Sequence, residues 1–105
     1  MDVVSAVASG KAIDITVKFY NGTEDDMNFG DAFTLERWEN NRWVKIESVE
    51  GTDSSGVRCI PPQQEREIVF SMEAKEDFVS GKYRIEASEW PTLCIYITDF
   101  DLIVG

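Results

Sequence analysis

The sequence predicts an all-β sandwich of seven to eight mostly antiparallel strands. Two observations carry that expectation. Apolar and polar residues alternate with period two through most of the chain, and turn-forming residues break the alternation at short intervals. Many short strands spaced this way close into a sandwich or a barrel.

Val3-Val4 and Ala6-Val7 form a short first strand. In the second, Ile13, Ile15, Val17 and Phe19 alternate with Asp14, Thr16, Lys18 and Tyr20, which gives a half-buried strand with one core face. Asn21-Gly22 ends it, and Glu24-Asp25-Asp26 through Asn28 reads as a solvated acidic loop. The next strand places Phe33 and Leu35 on one face and Thr34, Glu36 and Trp38 on the other. Glu39-Asn40-Asn41-Arg42 is a tight hairpin connection, because Asn tolerates left-handed backbone, and Trp43-Val44-Lys45-Ile46 returns as the partner strand. Trp38 and Trp43 flank that turn as a cross-strand aromatic pair.

The polar run from Glu50 to Gly56 reads as a flexible loop. A short strand from Val57 to Ile60 must stop at Pro61-Pro62, since neither proline can donate to a ladder. Ile68, Phe70 and Met72 share the face of another strand, and the charged stretch from Glu73 to Ser80 has room for one helical turn. Tyr83, Ile85 and Ala87 point inward from the strand after Gly81, and Trp90-Pro91 breaks it. In the last segment Leu93, Ile95 and Ile97 alternate, then the phase shifts to Phe100, Leu102 and Val104, which predicts a bulge near Thr98-Asp99. With no linker, repeat or low-complexity tract, residues 1–105 read as one domain.

A formal charge of −10 sets the electrostatic character. It repels nucleic acid and anionic membrane surfaces and leaves basic ligands, cationic peptides or calcium as conceivable partners. The plainer account is that the charge keeps a strand-rich surface soluble. No run of apolar residues is long enough for a transmembrane helix, so no membrane insertion is expected. Met1-Asp2-Val3-Val4 lacks the basic and apolar regions of a signal peptide, which reads either as a cytosolic protein or as a piece of a longer chain. Cys59 and Cys94, if bridged, would close a loop of about 36 residues worth roughly 4 kcal/mol. Otherwise they are two small buried thiols, the reading that the chain length favours.

The chain has no histidine, which removes Ser-His-Asp and Cys-His catalysis and the commonest metal ligand. It also lacks a phosphate-binding glycine loop and a nucleophile elbow, so neither an enzyme nor a cofactor is expected. Carboxylates cluster at Glu24-Asp25-Asp26, between Glu73 and Asp77, and at Asp99 with Asp101. They lack EF-hand spacing and read as solvated loops rather than a calcium site. Trp38, Trp43, Tyr20 and Trp90 fall on or near outward positions. Exposed aromatics on a sheet suit a carbohydrate-, peptide- or protein-binding face, and Trp38, Trp43 and Trp90 are its candidate residues, unless a second sheet or a loop covers them. Asn21-Gly22-Thr23 matches the N-glycosylation pattern.

Taken in order, these features resemble the bacterial immunoglobulin-like domains of Gram-positive, extracytoplasmic type. The resemblance rests on Ile15-Thr16-Val17-Lys18-Phe19-Tyr20-Asn21, on Phe29-Gly30 through Phe33-Thr34-Leu35-Glu36-Arg37, and on Asn41-Arg42-Trp43-Val44-Lys45-Ile46. Ile60-Pro61-Pro62 with Glu65 and then Gly81-Lys82-Tyr83-Arg84-Ile85 complete it. Stretch 48–57 departs from it in being polar, and 71–79 in having few aromatics. A shorter form of the pattern occurs in small intracellular proteinase inhibitors of bacilli. The resemblance implies an immunoglobulin-like sandwich in a cell-surface or envelope setting, with no catalytic residues to transfer.

Three functions follow as expectations. The first is a non-catalytic binding, adhesion or spacer module of a bacterial surface or secreted protein, with a protein or cell-wall glycan as partner. The second is a stand-alone cytosolic protein that binds or inhibits another protein. The third is a carboxylate-only hydrolase, which needs two facing carboxyls roughly 5–9.5 Å apart.

Overall fold

In a computed structural model, residues 1–30, 32–49, 58–89 and 95–104 are described. They form nine strands: β1 (Asp2–Ser9), β2 (Ala12–Tyr20), β3 (Met27–Phe29), β4 (Phe33–Glu39), β5 (Arg42–Val49), β6 (Arg58–Ile60), β7 (Glu65–Glu73), β8 (Gly81–Ser88) and β9 (Ile95–Leu102). Every pairing is antiparallel. One sheet has the order β1-β2-β7, a second the order β5-β4-β8-β9, and β3 pairs with β6 as a short ribbon. The inner faces of the two larger sheets share one core, in which Phe33 of β4 meets Phe70 of β7 edge-on at 5.3 Å and Phe19 of β2 meets Tyr96 of β9 at 6.0 Å. This is the sandwich that period-two alternation demands: each sheet must bury one face against another layer.

The turns have local causes. Asn40 and Asn41 adopt φ of 51° and 63°, the pair of left-handed residues that a two-residue hairpin requires. Gly10, with φ 59°, lies in the β1–β2 turn, where a side chain would strain the backbone.

Four expectations need correcting. The acidic stretch before residue 30 is not loop throughout: Met27 and Phe29 are buried and pair with Ile60 and Arg58 as β3. Two apolar residues are enough for a strand that needs only one inward face, and the acidic run beside them hid it. The segment from Glu73 to Ser80 contains no helical turn. It is a looped strap that bends at Lys75 and Glu76, tied down where Ala74 N donates to Lys11 O at 2.8 Å and Phe78 N to Gly10 O at 2.8 Å, with the Phe78 side chain buried.

Nor is there a bulge at Thr98-Asp99, since β9 runs in unbroken register from Gly81↔Leu102 to Ser88↔Ile95. The register shifts lie at Val3/Ser5 and at Leu35/Glu36 instead. The inward residues of β9 are Tyr96, Thr98, Phe100 and Leu102, which leaves Ile95 and Ile97 exposed. One polar residue, Thr98, on the core face imitates a change of phase. Finally, Cys59 is a free, exposed thiol, not a buried one. Ile60 faces the core, so alternation turns its neighbour outward. Cys94 and the 50–56 loop lie outside the described residues.

Asn21, fully buried, joins three segments where β2 ends. Its Nδ2 donates to Asp25 O at 2.7 Å and to Ile60 O at 2.8 Å, while its Oδ1 accepts from Thr23 N at 2.9 Å and Thr23 Oγ1 at 2.6 Å. All the hydrogen-bonding capacity of the amide is used, as burial demands. A glycan on Nδ2 would need space that the folded chain does not have, so Asn21-Gly22-Thr23 is a structural turn here. Asn21→Ala should lower the free energy of unfolding by about 1–3 kcal/mol, because it leaves the Ile60 carbonyl without its donor. Urea denaturation followed by fluorescence checks this, with an unchanged slope expected.

Candidate functional site

The residues singled out for binding fall on two different surfaces. Tyr20 is on the outer face of the β1-β2-β7 sheet, where its hydroxyl donates to Gln63 Oε1 at 2.9 Å. Trp38 and Trp43 are on the outer face of the β5-β4-β8-β9 sheet. Trp90 lies outside the described residues.

Register builds the Trp surface. Trp38 and Trp43 are direct cross-strand partners beside the Asn40-Asn41 turn, and their rings meet edge-on at 5.2 Å. Such a pair is worth about 0.5–1.5 kcal/mol beyond its buried area, so part of its work is to clamp the hairpin. Trp38 nevertheless keeps 43% of its surface exposed. One register step along, Lys45, Glu36, Arg84 and Asp99 line up across the four strands with alternating charge. Arg84 holds the centre: its Nε donates to Glu36 Oε1 at 2.7 Å, and its guanidinium sits 4.6 Å from the centre of the Trp43 ring. Asp99 is met by Lys82 at 3.3 Å. A further step brings Thr34 beside Ser48, their hydroxyls 3.0 Å apart, and Glu86 beside Ile97. The face thus has an aromatic end at the β4–β5 hairpin, a charged middle, and an aliphatic end at Ile95 and Ile97.

Arg84 and the two isoleucines were not singled out from the sequence. Arg84 alternates outward beside inward Tyr83 and Ile85, but only the pairing of β4 with β8 shows that it reaches Glu36 and Trp43. The isoleucines were assigned inward for the reason given above. Glu24, Asp25 and Asp26, the other carboxylate clusters, and the remaining described Asp, Glu and Cys residues form no group of three able to hold a metal ion.

At the sandwich corner Tyr83, fully buried at the start of β8, sends its hydroxyl back to Val79 O at 2.7 Å. A tyrosine anchoring the backbone a few residues upstream of its own strand marks Greek-key sandwiches of immunoglobulin type. With two sheets ordered β1-β2-β7 and β5-β4-β8-β9, it defines the molecule as an immunoglobulin-like β-sandwich. The bacterial Ig-like domain family model matches residues 1–89, and the chain belongs to that family. Strand β9 lies beyond the matched residues yet forms the edge of the four-stranded sheet. No curated protein matches the chain. Among the described residues no helix is long and apolar enough to cross a membrane.

The clamp is testable apart from any ligand. Two indoles held 5.2 Å apart should give an exciton couplet in the far-ultraviolet circular dichroism spectrum. Trp38→Phe should abolish the couplet while lowering stability by no more than about 1.5 kcal/mol.

Proposed function

We propose that the chain works as a non-catalytic binding module of a bacterial surface or secreted protein, and that it makes contact through the outer face of the four-stranded sheet around Trp38 and Trp43. Membership of a bacterial Ig-like domain family supports the module reading. The observation that carries the contact surface is the Trp38–Trp43–Arg84 cluster, standing on an open sheet face with Trp38 exposed.

Trp and Arg are the residue types that dominate interface energetics, and they do so when clustered and ringed by polar groups that exclude water. Glu36, Lys45, Thr34 and Ser48 supply such a ring here. Arg84 is already oriented by Glu36, so little side-chain freedom remains to be lost on contact. The partner is a protein or a cell-wall glycan, since both present apolar faces that an indole can cover. An extracytoplasmic setting goes with this reading.

Co-sedimentation with purified peptidoglycan and crosslinking to a bacterial envelope extract test it. The wild-type domain should be retained in at least one of the two, and Trp38→Ala should lose about tenfold or more of that retention while remaining folded. Equal retention of the two proteins, or retention of neither, would overturn the assignment of this face.

A further inference from the structure

Asn21-Gly22 is the one place in the sequence where glycine follows asparagine; Asn28, Asn40 and Asn41 are followed by Phe29, Asn41 and Arg42. In a mobile chain that dipeptide is chemically labile. The backbone nitrogen of the following residue attacks the asparagine side-chain carbonyl carbon, and glycine hinders the approach least because it has no side chain. As the new C–N bond forms, the bond to the side-chain nitrogen breaks and ammonia leaves, which closes a cyclic succinimide. Water then adds to either carbonyl of the ring and opens it to aspartate or isoaspartate.

The folded chain blocks each stage. Asn21 is fully buried, so water is kept from taking the Gly22 proton and from delivering one to the departing nitrogen. Closing the ring would draw the side-chain carbon onto Gly22 N. That would pull Oδ1 off Thr23 N and Thr23 Oγ1, and Nδ2 off the carbonyls of Asp25 and Ile60. The main chain is pinned too: Asn21 N donates to Gln64 O at 2.9 Å, and Asn21 O accepts from Gln63 N at 2.7 Å.

The fold needs the asparagine but not the glycine. Gly22 does not adopt the left-handed backbone seen at Gly10, and a Cβ there would meet only the Tyr20 ring, at 3.4 Å or more. Glycine at 22 therefore adds lability that the turn itself does not require.

Neither product fits the junction. An ionised aspartate has no hydrogen to donate, so an oxygen in place of Nδ2 would face the Asp25 and Ile60 carbonyls, now 2.7 and 2.8 Å away, as a buried anion against two acceptors. Isoaspartate lengthens the main chain by one atom inside the bridge that Asn21 makes with Gln63 and Gln64. Both break the tie between the end of β2 and the β3–β6 ribbon.

We infer that Asn21-Gly22 is a deamidation site gated by the fold. It is silent while the junction is closed and reacts once the ribbon parts from β2. The reaction makes that opening irreversible, since chemical modification of an opened chain removes it from the folded pool.

The test follows the full chain at neutral pH, in buffer and in guanidinium chloride, by peptide mass spectrometry. Cleavage after Lys18 and Arg37 releases residues 19–37, which carry Asn21 together with Asn28 as an internal reference. Asn21 should convert at least about tenfold faster in denaturant than in buffer, while Asn28 stays slow in both. Gly22→Ala, for which the folded chain has room, should fold and should slow conversion in denaturant by about tenfold. Returned to buffer, converted chains should not regain the folded nitrogen-15 NMR spectrum over residues 20–29 and 58–65, whereas unconverted chains from the same sample should. Equal conversion of Asn21 in the two states, no slowing by Gly22→Ala, or full recovery of the spectrum by converted chains would each overturn the inference.

Discussion

The fold depends on the corner built around Tyr83. Its ring is fully enclosed, stacked at 20° on Phe100 of β9 and 5.9 Å from it, with Phe78 of the strap on the other side at 6.2 Å. Its hydroxyl donates to Val79 O, and its cross-strand neighbour Arg37 pairs with Glu39. Four segments therefore meet at one side chain: β4, the strap, β8 and β9. A buried hydroxyl is costly unless satisfied, and this one is satisfied by the Val79 carbonyl. The same contact that stops the strap from swinging away also places Phe78, which forms one wall of a cleft beside β5. The corner thus sets both the crossing between sheets and the shape of a surface cleft.

Charge organises the outer faces where the core does not. On the four-stranded sheet the Lys45–Glu36–Arg84–Asp99 row alternates in sign across all four strands, and on the three-stranded sheet Asp2, Lys18 and Glu67 do the same. Exposed pairs of this kind contribute little to stability, but they keep the sheet faces hydrated and fix strand register against slippage. Where two cations flank one carboxylate, one of them is left without it. Lys45 is such a case, because Arg84 bonds Glu36 and also covers the Trp43 ring.

Much of this was legible in the sequence because period two is a direct image of a sheet with one buried face. Ile13 through Phe19, Phe33 and Leu35, and Tyr83 through Ala87 all face where alternation puts them, and Asn40-Asn41 announces its hairpin through backbone chemistry alone. Two of the misreadings share a cause. At β3 and β9 the apolar signal was too short or was broken by a single polar residue, Asn28 or Thr98, and a polar residue can sit in a strand wherever pairing compensates. The candidate face was half legible. Outward placement of Trp38 and Trp43 follows from alternation, but the approach of Arg84 depends on which strands are neighbours, and this is set by long-range pairing. The cleft was not legible at all, because it joins a strand edge to a strap some thirty residues away in the chain.

The most direct test of the corner is Tyr83→Phe, which removes one oxygen and keeps the ring. The free energy of unfolding in urea should fall by about 1–3 kcal/mol, because the Val79 carbonyl loses its donor, while the ring contacts with Phe78 and Phe100 persist. The amides of the 74–79 strap should exchange with deuterium faster than those of β2, which the corner does not touch. A change within about 0.5 kcal/mol, with strap exchange unaltered, would contradict the account.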